Sequence, residues 1–301
     1  MAIKIPGPSL AGRSAPSALG SMRRRANARS TWWRRGLLEL AALSLLVGFW
    51  GLDAAQPSLS SASTSPAPVT FSPIQPVGPT AGTWTKRIFD SEFNGSSLSG
   101  SRWTTGWSGS GITEGPNTSE QDCYDPAQVT MGLGQLDLSA IRKAETCGGV
   151  TRQFTSGLVT TDQRFSFRYG YMEARIWMPG SSSISDWPAF WADGQNWPKS
   201  GEIDTVEGKA GSPCASFINL AGGSSTCASG GFGGSWHTYA ADWEQGSVTY
   251  YYDGTEVWQD TSGITSAPMY LILNLAVSKA VSAPIVAPAT MRVDYVRVWQ
   301  H

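Results

Sequence analysis

The amino-acid sequence predicts an all-β fold for the chain after residue 84, in the form of a β-sandwich of the jelly-roll type. Short runs rich in β-branched and aromatic residues recur there, and each is bounded by Gly, Pro, Asn, Asp or Ser. Several of these runs alternate apolar and polar side chains, which is typical of half-buried strands. No helical period of useful length follows residue 84. Together these observations favour one large β-domain.

The predicted strands follow one another toward the C terminus. Their ranges are 128–131, 135–139, 170–177, 247–252, 255–258, 269–277 and 291–299. The dipeptide Asp253-Gly254 is typical of a tight turn, so the fourth and fifth strands are expected to form a hairpin. Residues 269–277 are a continuous apolar run, for which we expect a strand buried on both faces.

Residues 1–55 are predicted to be an export segment. Eight basic residues lie in the first 35 positions, and an apolar run follows at 36–52, in which Glu39 is the only charged residue. The segment is either a signal peptide cleaved near Ala55 or a signal anchor with its basic end in the cytoplasm. The pair Arg34-Arg35 resembles a twin-arginine export signal, and Met22 is an alternative start to Met1.

Residues 56–83 are predicted to be a linker. From residue 54 to 85 the chain has no charged side chain, and six prolines mix with Ser, Ala and Thr. Such a composition lacks the apolar content that a packed core requires. The folded body is therefore expected over 84–301, as a single domain.

Composition excludes two classes of function. The whole chain has 22 basic and 23 acidic residues, but from Lys86 onward there are 14 basic and 21 acidic ones. An acidic body lacks the basic face that neutralises phosphates, so no nucleic-acid partner is expected. Two histidines and four cysteines do not supply a zinc finger or a three-histidine centre, so no catalytic metal is expected.

The four cysteines all lie in the part of the chain that is predicted to be exported. Two local disulfides, Cys123 with Cys147 and Cys214 with Cys227, are the simplest of the three connectivities that four cysteines allow. Free buried thiols are the alternative.

Three acidic residues are closely spaced in the sequence GEIDTVE (201–207). Because side chains alternate along a strand, Glu202 and Asp204 share a face, and one β-bulge at Thr205-Val206 would bring Glu207 to the same side. Ile203 would point to the core. Like charges placed together in a strand are costly, and glycoside hydrolysis by paired carboxyl groups provides a reason for them. The alternatives are a solvated strand edge and a cation site.

Three tryptophans, Trp187, Trp191 and Trp197, lie just before this motif. Sugar rings pack their C–H faces on aromatic planes, so the tryptophans favour a carbohydrate site. Tryptophan is also commonly buried, and we expect at least one of the three, Trp197, to be a core residue. His237, between Trp236 and Tyr239, is predicted to be a packed structural histidine.

A series of segments resembles, in the same order, glycoside hydrolase family 16, the laminarinase-like enzymes with a β-jelly roll (concanavalin A-like). The segments are FDSEFNG (89–95) with Trp103, YGYMEARI (169–176), WPAFW (187–191), GEIDTVE (201–207), WHTY (236–239), YDG (252–254), LILNLAV (271–277) and VDYVRV (293–298). The resemblance covers nearly all of residues 86–301.

The resemblance implies a catalytic role for each of the three carboxylates. Glu202 would be the nucleophile, Glu207 the acid/base and Asp204 a helper between them, with net retention of configuration. It implies that Trp187 and Trp191 line the glycone subsites.

The resemblance has two further implications. Asn117 would contact sugar. No cofactor is required, although a structural calcium ion involving Asp294 is common in the family.

Three segments depart from the family pattern. Leu158 stands where many members have an arginine, residues 278–280 replace a pair of glycines, and none of residues 217–219 is the histidine that members often have. The departures concern positions that contact sugar in the family, whereas all three carboxylates of the motif are present.

We therefore expect a secreted, monomeric retaining endo-β-glycosidase whose partner is a polysaccharide, a β-1,3- or mixed-linkage β-glucan. A transglycosylase acting at the same site and a non-catalytic carbohydrate-binding protein are the alternatives. The protein is expected outside the cell or on the outer face of the cell membrane, which it would contact only through an uncleaved N-terminal segment.

Overall fold

A computed structural model describes residues 75–78, 84, 86–179, 186–209, 211–229, 231–278 and 284–301. The predicted export segment, residues 1–55, lies outside the described residues, as does most of the predicted linker. In the part of the chain that is described, no helix has the length and apolar character needed to cross a membrane.

The described residues form strands and one short 3₁₀ helix at Pro126–Gln128. The strands are β1 (Lys86–Ser91), β2 (Thr104–Thr105), β3 (Asp122–Tyr124), β4 (Val129–Gly132), β5 (Gln135–Ala140), β6 (Glu145–Cys147), β7 (Val150–Arg152), β8 (Phe154–Ser156), β9 (Leu158–Thr160), β10 (Gly170–Trp177), β11 (Asp186–Gly194), β12 (Glu202–Lys209), β13 (Ser212–Asn219), β14 (Gly222–Cys227), β15 (Trp236–Glu244), β16 (Ser247–Tyr252), β17 (Thr255–Asp260), β18 (Met269–Val277) and β19 (Ala289–Gln300). The prediction of an all-β domain is confirmed.

Two antiparallel sheets form a jelly-roll sandwich. One sheet has the order β17-β16-β15-β10-β19-β5-β4, and β1 also pairs with β19. The other has the order β14-β13-β12-β11-β18-β9-β2. The predicted hairpin is β16–β17, and its turn residues Asp253 and Gly254 both have positive φ, at 48° and 76°. Glycine adopts such an angle without steric cost, which explains its place in this turn.

The hydrophobic core lies between the two sheets. In β18, Leu271, Leu273 and Leu275 enter this core, whereas Tyr270 and Ile272 join a second apolar cluster on the opposite face of the sheet. Both faces of β18 are therefore buried, as its largely apolar sequence predicts, with Asn274 as the polar exception. The second cluster lies beneath the cleft described below.

A short segment before the domain contacts the outer face of the first sheet. Residues 75–78 belong to the predicted linker, yet the backbone N–H of Val77 donates to Glu173 Oε2 at 2.7 Å. The hydroxyl of Tyr171 donates to the carbonyl oxygen of Val77 at 3.2 Å. Trp84 is buried and stacks on His301, with 4.0 Å between ring centroids. The two ends of the domain thus meet on one face.

The cysteines form the two local disulfides predicted from the sequence, Cys123–Cys147 and Cys214–Cys227. The second joins residues that lie opposite each other in β13 and β14. It therefore ties an outer strand of the second sheet to the strand beside β12.

Candidate active site

The three clustered carboxylates lie on β12, between β11 and β13. The pairing of β12 with β13 places Asp204 opposite Ser216 and Glu207 opposite Cys214, with a register shift between the two pairs. This irregularity is the bulge predicted at Thr205-Val206. It turns Glu207 to the same face as Glu202 and Asp204, while Ile203 points into the core.

That face forms one wall of a cleft of about 430 Å³. The cleft is lined by aromatic, amide and carboxyl side chains together with a few small residues. These residues are Trp107, Pro116, Asn117, Thr118, Glu120, Trp187, Ala189, Trp191, Asp193, Trp197, Glu202, Asp204, Glu207, Ile218, Asn274 and Ala276. All the candidate site residues from the sequence, the three carboxylates with Trp187, Trp191 and Asn117, lie in this one cleft.

Glu207 is held by two donors from neighbouring strands. Trp187 Nε1 donates to its Oε1 at 2.9 Å, from β11. The Ser216 hydroxyl, on β13, lies 3.0 Å from its Oε2. Both oxygens of this carboxyl group are therefore positioned by the flanking strands.

Glu202 is also contacted on two sides. The indole Nε1 of Trp197 donates to Glu202 Oε2, and the Asp204 side chain hydrogen-bonds to Glu202. Burial raises the pKa of Asp204 well above its ordinary value, and the neighbouring Glu207 and Glu202 carboxylates raise it further. The hydrogen bond between the two carboxyl groups requires one proton, and these causes favour Asp204 as the group that carries it.

Two further carboxyl groups in the cleft were not identified from the sequence. Burial raises the pKa of Glu120 to about 7. Asp193 lies opposite Glu202 across the β11–β12 pair, and burial, with Glu202 as the next cause, raises its pKa to about 7. Glu120 stands close to Asn117 in the sequence and could have been found there, but only the fold brings Asp193 beside the motif.

The tryptophans are distributed differently from the prediction. Trp197 was expected in the core, and this is wrong: it is 56% exposed, in the turn after β11. Trp191 is the buried one, at 7% exposure. It stacks on Trp107 with 5.5 Å between ring centroids, and its Nε1 donates to Asn274 Oδ1 at 2.8 Å. Trp191 is the buried indole because Trp107 covers it.

Asn117 lies at one side of the cleft in a tight local turn. Its Oδ1 accepts from the backbone N–H of Ser119 at 2.9 Å, and its own N–H donates to Glu120 Oε1 at 3.2 Å. On the same side, Asn274 Nδ2 donates to the Tyr124 hydroxyl at 3.0 Å. These bonds fix the polar wall beside Trp191.

The departures from the family pattern have structural counterparts. Leu158 is buried in the apolar cluster that contains Trp191, Tyr124 and Ile272. Ile218 lines the cleft. The chain therefore presents apolar side chains at these two positions.

His237 is not among the residues that line the cleft. Its Nδ1 lies 2.7 Å from Asp253 Oδ2, and its ring packs 4.9 Å from the ring of Tyr252. The prediction of a packed structural histidine is confirmed.

The surroundings of Asp294 do not fit a calcium ion. Arg175 Nη1 donates to Asp294 Oδ2 at 2.8 Å, so a guanidinium group already neutralises this carboxylate. Across the described part of the chain, no group of three or more His, Cys, Asp or Glu residues could hold a metal ion.

Comparison with known proteins agrees with this geometry. The family model described as the XgeA-like catalytic GH16 domain matches residues 149–216. Glucan endo-1,3-β-glucosidase A1 of Niallia circulans is 26% identical over 265 residues, with 71% of this chain and 37% of the relative covered. Endo-1,3-1,4-β-glycanase EglC of Rhizobium meliloti is 28% identical over 253 residues, with 76% and 50% covered. The chain thus spans half or less of these relatives' length.

A solved structure is also similar to this chain. The endo-β-1,3-glucanase of Pyrococcus furiosus superposes with a TM-score of 0.64 and 26% identity, covering 72% of this chain and 94% of that one. The matched family model includes the whole carboxylate motif on β12. Motif, fold and similarity together indicate glycoside hydrolase family 16 for this chain.

Proposed function

We propose that this protein is a retaining endo-β-glycosidase that hydrolyses a β-1,3- or mixed-linkage β-glucan by double displacement. The observation that carries the proposal is the set of three carboxyl groups that the bulge in β12 turns into one cleft. Retaining enzymes use two carboxyl groups about 5–5.5 Å apart, one as nucleophile and one as acid/base. Glu202 and Glu207 are the pair.

The contacts of the carboxyl groups support one assignment of roles. Asp204 and Trp197 both donate hydrogen bonds to Glu202, and such bonds stabilise a carboxylate anion. Glu202 is therefore suited to attack the anomeric carbon and form the glycosyl-enzyme. Glu207 gives its proton to the departing glycosidic oxygen and then takes a proton from the water that hydrolyses the intermediate.

Charge in the cleft favours a neutral polymer. The described residues that line it include five carboxyl side chains and no Lys, Arg or His. The sulfate or carboxylate groups of charged glycans would find no cationic partner among these described residues, which disfavours their binding. Three indoles, those of Trp107, Trp187 and Trp197, offer apolar faces to uncharged sugar rings, and the buried Trp191 supports Trp107 by stacking. A neutral β-glucan satisfies both conditions.

Export is part of the proposal. Both disulfides are typical of proteins that work in an oxidising compartment. A polysaccharide too large to enter the cell also requires the enzyme outside. We infer a monomer that is secreted or held on the outer face of the membrane by residues 1–55.

The test is product analysis with the full chain. Laminarin, curdlan and lichenan are incubated with the parent and with Glu202→Gln, and carrageenan serves as the anionic comparison. Oligosaccharides formed by the parent from a neutral β-glucan, and absent with Glu202→Gln, are expected. Products longer than the glucan chains supplied as substrate would instead favour the transglycosylase. Binding of glucans without cleavage would favour the carbohydrate-binding protein and overturn the proposal.

A further inference from the structure

One buried hydroxyl lies between two of the three carboxyl groups. Ser216 Oγ is 2.7 Å from Asp204 Oδ2 and 3.0 Å from Glu207 Oε2. Ser216 is only 5% exposed, and its position directly opposite Asp204 in the β12–β13 pair is fixed by the strand register. The backbone holds it there further, because the Tyr250 hydroxyl donates to the Ser216 carbonyl oxygen at 2.7 Å.

A hydroxyl group has one proton, so Ser216 donates to only one of the two carboxyl groups at a time. The other contact is a hydrogen bond only if that carboxyl group carries a proton and donates it to Ser216 Oγ. Two ionised carboxylates would leave one buried oxygen facing Ser216 without a hydrogen, which is costly. The geometry therefore links the protonation of Asp204 to that of Glu207.

We propose that Ser216 is a positioning residue whose hydroxyl reverses direction as Glu207 changes between acid and base. This inference rests on the proposed function of the same cleft. In the free enzyme, protonated Glu207 donates to Ser216 Oγ, and Ser216 donates to Asp204. Once Glu207 has passed its proton to the departing oxygen, the Ser216 hydroxyl turns and donates to the Glu207 carboxylate, while the Asp204 carboxyl group turns its proton from Glu202, now an ester, to Ser216 Oγ.

Protons and charge balance in this scheme. Among the three carboxyl groups of β12, the free enzyme has one negative charge, on Glu202, while Asp204 and Glu207 are neutral. In the glycosyl-enzyme, Glu202 is a neutral ester and Glu207 carries the negative charge, because its proton has left with the leaving group. Rotation of the Ser216 hydroxyl, together with the turn of the Asp204 proton, lets the site stabilise the charge at its new position without moving a strand.

The removal of this hydroxyl has a defined consequence. A hydrogen bond to an anion is stronger than one to a neutral group, so Ser216→Ala weakens the ionised form of Glu207 more than its protonated form. The alkaline limb of kcat/KM should therefore move to higher pH, by about one unit, and kcat should fall about tenfold.

The experiment uses full-length protein and two independent readouts. The first is the pH dependence of kcat/KM on lichenan or laminarin. The second is ¹³C NMR titration of the Glu207 carboxyl carbon, whose signal is identified by its loss in Glu207→Gln. Ser216→Thr retains the hydroxyl, so the alkaline limb of its kcat/KM profile should lie at the same pH as the parent's. Tyr250→Phe removes the bond to the Ser216 backbone, so it should lower stability without moving the limb.

The outcomes separate the two hypotheses. If the parent cleaves no glucan, the proposed function fails, while the NMR titration still tests the role of Ser216. An upward shift in Ser216→Ala that is absent from Ser216→Thr and Tyr250→Phe supports the positioning role. An unchanged Glu207 titration in Ser216→Ala, or the same shift in Tyr250→Phe, overturns it.

Discussion

The indole Nε1 of Trp187 lies 2.9 Å from Oε1 of Glu207. The indole of Trp197 makes the corresponding contact with Oε2 of Glu202. Each of the two glutamates in the motif is thus held by a tryptophan that also lines the cleft. In the proposed function each of these side chains provides both a sugar-stacking surface and a donor, so substitutions can separate the two contributions.

Replacement of Trp197 by Phe keeps an aromatic face and removes the N–H that contacts Glu202. We expect kcat to fall about tenfold, since the carboxylate loses a charge-assisted donor, while KM changes little. Trp197→Ala should raise KM as well, because the stacking surface is also lost. Steady-state kinetics on laminarin oligosaccharides measures both. A Phe variant with parental kcat and a raised KM would mean that Trp197 only stacks on sugar.

The position of the carboxylates was predictable because it depends on local rules. Alternation along a strand assigns Glu202 and Asp204 to one face, and their odd separation from Glu207 requires a bulge. Ile203 is apolar and must point inward. All this information lies within seven residues, so the sequence was sufficient.

The burial of the tryptophans was not predictable in the same way. Trp191 is covered by Trp107, which lies more than 80 positions earlier in the sequence. Trp197 is left exposed because it falls in a turn rather than on β11. Ser216 was missed for a related reason, since its contact with Asp204 depends on the register of β12 and β13. Contacts between distant segments decide these features.

The proposed roles of the two glutamates predict different responses to azide. With an activated aryl β-glucoside, Glu207→Ala should form the glycosyl-enzyme, and azide should then release a β-glycosyl azide. Glu202→Ala lacks the nucleophile, so azide should attack directly and give the α-anomer. NMR of the products distinguishes the anomers. If the anomers were exchanged between the variants, the assignment of nucleophile and acid/base would be reversed.

The disulfide Cys214–Cys227 should stabilise the strands next to the site. It closes a loop with a sequence separation of 13, and Cys214 lies opposite Glu207 in β12. We expect the double variant Cys214→Ala/Cys227→Ala to lose about 2–4 kcal/mol of unfolding free energy, measured by urea denaturation. Dithiothreitol should lower the unfolding free energy of this variant less than that of the parent. Equal stability of parent and variant would contradict the prediction.

The stability of the fold should depend on pH through buried carboxyl groups. Burial raises the pKa of Glu173 to about 7, against opposing hydrogen bonds from Tyr295 and Val77. Burial likewise raises the pKa of Asp186 and of Asp242 to about 6. Between about pH 4.5 and 7 the unfolded chain releases the Glu173 proton and the folded protein keeps it. Stability should therefore fall as pH rises through this window.

Thermal denaturation from about pH 4.5 to 8 measures this effect, and Tm should decrease with rising pH. Glu173→Gln cannot ionise, and its amide can accept from the Val77 N–H and donate to the Tyr295 hydroxyl, so its Tm should depend less steeply on pH. A difference of one pKa unit between the folded and unfolded states corresponds to about 1.4 kcal/mol of stability. Glu256, an exposed residue of β17, provides the control: Glu256→Gln should keep the parent's slope. A slope in Glu173→Gln that equals the parent's would contradict the contribution of Glu173, and a Tm that increases with pH would contradict that of the buried carboxyl groups together.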